Sequence, residues 1–116
     1  MTKLFLDDER MPPGSQDDWI IVRSYDQAVS WVIHRGWPEF ISFDNDLGSD
    51  SKEGWQFAQW LIDHDLSHGS MPDNFNFAVH SQNPVRNRDI IERLSTYIAY
   101  RRAALNPLTP APSRGQ

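Results

Sequence analysis

The chain has no cysteine among its 116 residues, which excludes a disulfide framework and any thiolate metal site and fits a reducing compartment. No apolar stretch approaches the roughly 20 residues needed to cross a bilayer, and the amino end lacks the pattern of a secretory leader. A cytoplasmic protein with no membrane partner is therefore expected. Lysine is also scarce: Lys3 and Lys52 are the whole supply. No internal repeat is visible. Aromatic residues, by contrast, reach 12%, with five Trp, and hydrophobic residues reach 39%. That is enough to fold, and at this length the expectation is one domain with a single modest core.

Charge is unevenly distributed. The formal net charge is −5, yet residues 84–116 hold six of the eleven bases and only two of the sixteen acids. The acidic remainder excludes a broad DNA-binding surface, while the basic end leaves room for local contact with a phosphate backbone.

Four short runs read as strands: Lys3–Leu6, Trp19–Val22, Phe40–Phe43 and Phe75–Val79, each bounded by Gly, Pro, Asp or Asn. The second, WIIV, is continuously apolar, which suits a sheet covered on both faces. Helical patterns lie between and after them. Ser24 with Gln27 has the form of a capping box; Tyr25, Ala28, Val29 and Val32 then share a face, and Gly36 is the stop. A second helix runs from about Glu53 to Leu66 with Phe57, Ala58, Leu61 and Ile62 as its core stripe. A third opens at Asn83-Pro84, cap then first-turn proline, with Ile91, Leu94 and Ile98 inward.

Strand–helix alternation implies an α/β fold with a mostly parallel sheet of four strands and three helices. The first two strands are joined only by Asp7–Asp18, containing Pro12-Pro13-Gly14, so a loop replaces the first crossover helix. Residues 1–105 form the domain; residues 106–116, NPLTPAPSRGQ, read as a Pro-rich tail.

In such sheets ligands bind beyond the carboxyl ends of the strands. The first strand ends in Asp7-Asp8, the third in Asp44-Asn45-Asp46-Leu47-Gly48, the fourth in His80-Ser81-Gln82-Asn83. Each has a bland reading alone: a solvated turn for the acids, a structural imidazole for His80, a helix cap for Asn83. Their coincidence at one edge favours a site. Converging Asp7, Asp8 and Asp44 would repel one another unless a cation sat among them, and hard oxygen ligands suit Mg²⁺ first and Mn²⁺ next. A calcium loop is excluded, because its required Gly and Glu positions hold Ser49 and Trp55. Trp19, Trp37 and Trp55 lie near these loops, where they could stack on a base; a core role is favoured.

LFLDDER, FDNDLG and HSQNP together resemble the receiver domains of response regulators, which carry an acidic pair, a phosphoacceptor Asp and a strand-four Ser or Thr. A receiver also needs a Lys after a fifth strand, and this chain has neither. The motifs LFLDDERMP, DNDLG and HSQN, in order, more closely resemble the receiver-derived cyclic-phosphate processing domains. The resemblance implies a small three-layer receiver-like (flavodoxin-like) fold and a metal-dependent phosphoesterase acting on a cyclic phosphate, on an RNA 2′,3′-cyclic end or a cyclic nucleotide. It further implies a divalent cation, Mg²⁺ before Mn²⁺, held by Asp7, Asp8 and Asp44. Asp46 would shape the cluster or orient water, and His80 would be general acid or base. Arg10, Ser81 and Asn83 would bind the phosphate. Two routes stay open, direct attack by water or a transient phospho-Asp44. The alternative is a non-catalytic degenerate receiver that binds a nucleotide or a protein partner.

Overall fold

The computed structural model describes residues 2–48 and 52–105; the Pro-rich segment 106–116 lies outside them. Strands β1 (Lys3–Leu6), β2 (Ile20–Val22), β3 (Phe40–Phe43) and β4 (Asn76–Val79) form one sheet in the order β2-β1-β3-β4. Every pairing is parallel. Helix α1 (Tyr25–Arg35) joins β2 to β3, α2 (Gly54–His68) joins β3 to β4, and α3 (Pro84–Leu105) follows β4. The first connection holds only a single 3₁₀ turn, Gln16–Asp18, so the expected loop crossover is what the chain forms. No helix among the described residues is long and apolar enough to cross a membrane.

The helix ends follow from their side chains. Ser24 Oγ accepts from the Gln27 N–H at 3.1 Å, while Gln27 reaches back to the Arg23 N–H rather than to that of Ser24. Asn83 Oδ1 caps the first turn of α3 through the Arg86 N–H. Helix α2 runs two residues past Leu66 and stops at Gly69, whose φ of 63° suits glycine.

Side-chain alternation sorts the strands into two faces. Leu4, Leu6, Val22, Ile41 and Phe43 join one core with Ala28 and Val32 of α1, Phe57, Ala58, Leu61 and Ile62 of α2, and Ile90 and Leu94 of α3. Phe5 and Ser42 point to the other face, which is covered only in part: Asn76 and Ala78 of β4 lie exposed on it. There Trp19 sets its ring edge-on to Phe5 and Phe40, at 5.6 and 6.0 Å between centroids. Trp19 thus sits just before β2 rather than within it. The apolar WIIV run does not have both faces covered: β2 is an edge strand, and Ile20 is 40% exposed. Of the tryptophans, Trp37 is buried, and Trp31, Trp55 and Trp60 pack against the core.

One inward residue of α3 is corrected. Ile91 is 46% exposed, and Ile90 is fully buried in its place. Both phases of the pattern reach Leu94 and Ile98, so apolar spacing did not decide between them. The choice is made by Asp65, a buried acid on α2. It accepts a hydrogen bond from the Tyr97 hydroxyl and pairs with Arg101 Nε at 2.6 Å. Those contacts turn the row Ile90, Leu94, Tyr97, Arg101 toward α2. Truncation separates the two positions: Ile90→Ala is expected to cost about 2–5 kcal/mol in urea denaturation, and Ile91→Ala less than about 1 kcal/mol.

Candidate functional site

The strand register builds the site. Phe5 is paired with Ile21 on one side and Ser42 on the other, and Ser42 with Ala78. Two residues further along each strand stand Arg23, Asp7, Asp44 and His80, which the pleat returns to the same face. Backbone bonds carry the ladder that far: Asp7 N–H to Val22 O at 3.1 Å, Asp44 N–H to Leu6 O at 2.9 Å, and His80 N–H to Phe43 O at 2.9 Å. The result is a row of four polar side chains across the carboxyl edge. Asp7, Asp44 and His80 each offer a donor atom to a group whose members lie within 4.8 Å of one another.

The two acids are buried, at 0% and 3% exposure, but their environments differ. Asp7 Oδ1 accepts from the Glu9 and Arg10 N–H groups at 2.9 and 2.8 Å, and Oδ2 lies 2.9 Å from His80 Nε2 and 3.6 Å from Arg10 Nε. Burial alone would raise its pKa; the backbone donors, His80 and the Arg10 charge together hold it below the usual carboxylate value. Asp44 is pushed the other way, first by burial and then by the Asp7 charge, against opposing contributions from Arg10, His80 and the Asp46 N–H. Two buried carboxylates brought together in one corner is the arrangement a cation would relieve.

His80 is fixed from three sides. Its Nδ1 is 2.7 Å from the buried Ser42 Oγ, and its ring lies parallel to Phe5 at 4.5 Å and 5°. Only Nε2 faces the acids. Arg10 NH1 also donates to the His80 carbonyl at 3.3 Å, tying the β1–β2 loop to the end of β4. Arg23, which the sequence reading passed over, donates to the Asp7 and Arg10 carbonyls at 3.1 and 2.6 Å and holds that loop from the opposite side. Its signal was available: it stands two past Ile21, as Asp7 stands two past Phe5.

The other candidate residues fall outside the row. Asp8 is exposed, with its carboxylate beside Gly48, and it is not part of the donor group. Asp46 is exposed and accepts from Asn45 Nδ2 at 3.3 Å. Ser81 is buried, with Oγ accepting from the Asn83 N–H and its carbonyl from Asn87. Ser81 and Asn83 thus build the entry to α3.

Two residues nobody would pick from composition hold the acid loop. Asn45, fully buried, accepts from the Trp55 N–H through Oδ1 at 3.1 Å and donates to Glu53 at 2.7 Å. Its carbonyl takes the Gly54 N–H. Gly54 presses directly on Asp44: a Cβ there would lie 2.1 Å from the Asp44 carbonyl oxygen. A surface groove of about 260 Å³ runs beside α2 and one of about 500 Å³ beside α1, and neither is lined by the row.

A parallel β2-β1-β3-β4 sheet with acids beyond its two central strands defines a receiver-like α/β domain. Among the described residues α3 is the last element, so no fifth strand carries a lysine to the site. The chain belongs to the family described as the cyclic-phosphate processing receiver domain, whose model matches residues 2–96. No curated protein matches it. Among solved structures it is similar to a yeast Spc42 trimeric coiled-coil segment, amino acids 181–211, fused to another protein. That likeness has 15% identity and a TM-score of 0.48, and covers 91% of this chain and 84% of the other.

Proposed function

We propose that this domain is a metal-dependent phosphoesterase that opens a cyclic phosphate, on an RNA 2′,3′-cyclic end or a cyclic nucleotide. The observation that supports it most is the row itself: two buried carboxylates and an imidazole converging on one point at the edge where parallel sheets bind ligands. The donor set fits a divalent cation held by Asp7 and Asp44. When bound, such an ion supplies Lewis-acid polarisation of a phosphoryl oxygen.

The chain's own residues do the rest. Arg10, with its side chain 43% exposed, offers a planar donor pair to a non-bridging phosphate oxygen at the mouth of the row. Exposed Asp46 orients the incoming water on the solvent side. The water attacks phosphorus and gives up one proton to solvent, one P–O bond to the ribose breaks, the released oxygen takes a proton from solvent, and a phosphomonoester is left. Ser81 and Asn83 support the phosphate indirectly by holding the start of α3.

Incubating the protein and a divalent cation with 2′,3′-cyclic mononucleotides and with RNA bearing a 2′,3′-cyclic end tests this. The expected product is a terminal phosphomonoester, formed with the cation and absent with chelator. Binding of these compounds with no opening under any divalent cation would leave the non-catalytic receiver in its place.

A further inference from the structure

We infer that His80 is a ligand of the cation rather than a proton carrier, that Ser42 positions it, and that the centre is built for a first-row transition ion over Mg²⁺. Three observations carry this. First, the residues that share the row with Asp7 and Asp44 include His80, whereas Asp8 is exposed and outside the donor group. The third ligand position is therefore filled by nitrogen instead of a third carboxylate. Second, His80 Nδ1 is engaged by the Ser42 hydroxyl at 2.7 Å, and Ser42 is itself buried at 6% exposure. A second-sphere partner on one ring nitrogen, with the other nitrogen aimed at the metal position, is how ligating imidazoles are oriented. Third, the ring lies flat on Phe5, so Nε2 cannot swing out to follow a leaving group without breaking that stack. A proton shuttle needs reach; a ligand needs to be held.

Metal choice follows from the donor atoms. Mg²⁺ prefers an all-oxygen shell and keeps its waters, whereas imidazole nitrogen suits the first-row transition ions, Zn²⁺ and Co²⁺ among them. Two carboxylates also balance a divalent charge, which matters where both acids are buried.

Metal binding tests the inference without any substrate. The apo protein is titrated calorimetrically with Zn²⁺, Co²⁺ and Mg²⁺, Co²⁺ is followed by its visible absorption, and the imidazole nitrogens are read by ¹⁵N NMR as Zn²⁺ is added. Wild type is expected to bind Zn²⁺ and Co²⁺ at least about tenfold more tightly than Mg²⁺, with the His80 Nε2 resonance shifted at one equivalent. His80→Ala should weaken Zn²⁺ about 10–100-fold while changing Mg²⁺ less than about threefold. Ser42→Ala, which keeps all three ligands, should weaken Zn²⁺ by about tenfold. Circular dichroism on both variants separates misfolding from lost ligation, and His80→Gln gives a second, milder removal.

An unshifted Nε2 resonance, or Zn²⁺ affinity untouched in folded His80→Ala, overturns the assignment and leaves the ion on acids alone. The inference rests on the proposed metal centre but not on the reaction. Tight His80-dependent metal binding with no turnover would overturn only the phosphoesterase reading, while no binding of any divalent ion would overturn the inference itself.

Discussion

Asp44→Asn is expected to raise the melting temperature of the metal-free protein at neutral pH while sharply lowering turnover and removing the stabilisation that metal brings. The reason lies in the direction of its pKa. Burial, and then the Asp7 charge, raise Asp44 above the ordinary value of 3.8, so the folded state holds its proton more tightly than the unfolded chain. Stability from that source is present below the unfolded value and is lost as pH rises through the folded one. At neutral pH the ionised carboxylate therefore works against the fold unless a cation is present. The neutral amide removes that opposition.

Asp7→Asn should do the reverse. Its pKa is lowered, chiefly because the Arg10 and Glu9 N–H groups and His80 overcome the opposing effect of burial. The charged form supports the fold above the unfolded value, and that support disappears as pH falls through the folded pKa. Thermal unfolding of wild type and both variants at neutral pH, with and without Zn²⁺ at about a hundred times its Kd, makes the comparison. Bound metal at that ratio is worth about 2.7 kcal/mol to the wild type, and to Asp44→Asn close to nothing. Turnover should fall by roughly 10³-fold or more, since both the charge and a ligand are gone. An Asp44→Asn protein that melts below wild type in chelator, or that keeps metal stabilisation, would show that Asp44 is a structural acid.

These two acids also show how far the site was legible. Asp7, Asp44 and His80 could be found because each follows an apolar strand at the edge where ligands bind, and the structure gathers all three. The second residue of the acidic pair illustrates what strand-end counting overlooks. Consecutive residues on a pleat point to opposite sides, so Asp7 continues the row of Phe5 while Asp8 leaves it. Arg23 was passed over for a related reason: it lies beyond an edge strand and carries the sign opposite to the acids being sought. Its guanidinium bonds two loop carbonyls, a role with no sequence spacing of its own. Elements, order and caps were readable from local chemistry. The rotation of α3 was not, because the residue that sets it, Asp65, sits 32 positions from Tyr97 and belongs to another helix.

Gly54→Ala is expected to be among the most damaging single-methyl additions to this chain. In the sequence Gly54 is an unremarkable residue at the start of a helix. In the fold its Cα side faces the backbone of the acid loop: the added carbon would meet the Asp44 carbonyl oxygen at 2.1 Å and the Asn45 Cα at 3.0 Å. Neither is the movable end of a side chain, so the main chain itself must shift. The segment that must shift is also the one held by Asn45, through its bonds to the Gly54 and Trp55 N–H groups and to Glu53.

Overpacking of this kind costs about 1–3 kcal/mol, and leaving a buried amide such as Asn45 unpaired adds about 1–3 kcal/mol. A loss of about 2–6 kcal/mol in urea denaturation is the expected result. Gly69→Ala supplies the contrast, since nothing lies within 4 Å of a Cβ there and only its positive φ of 63° is at issue; about 1 kcal/mol is expected. Because the Asp44 carbonyl is the atom displaced, Gly54→Ala should weaken metal binding as well as the fold, whereas Gly69→Ala, at the far end of α2, should leave it unchanged. A Gly54→Ala protein within about 1 kcal/mol of wild type would mean that α2 and the acid loop can separate freely, and that the position of Asp44 does not depend on the helix packed behind it.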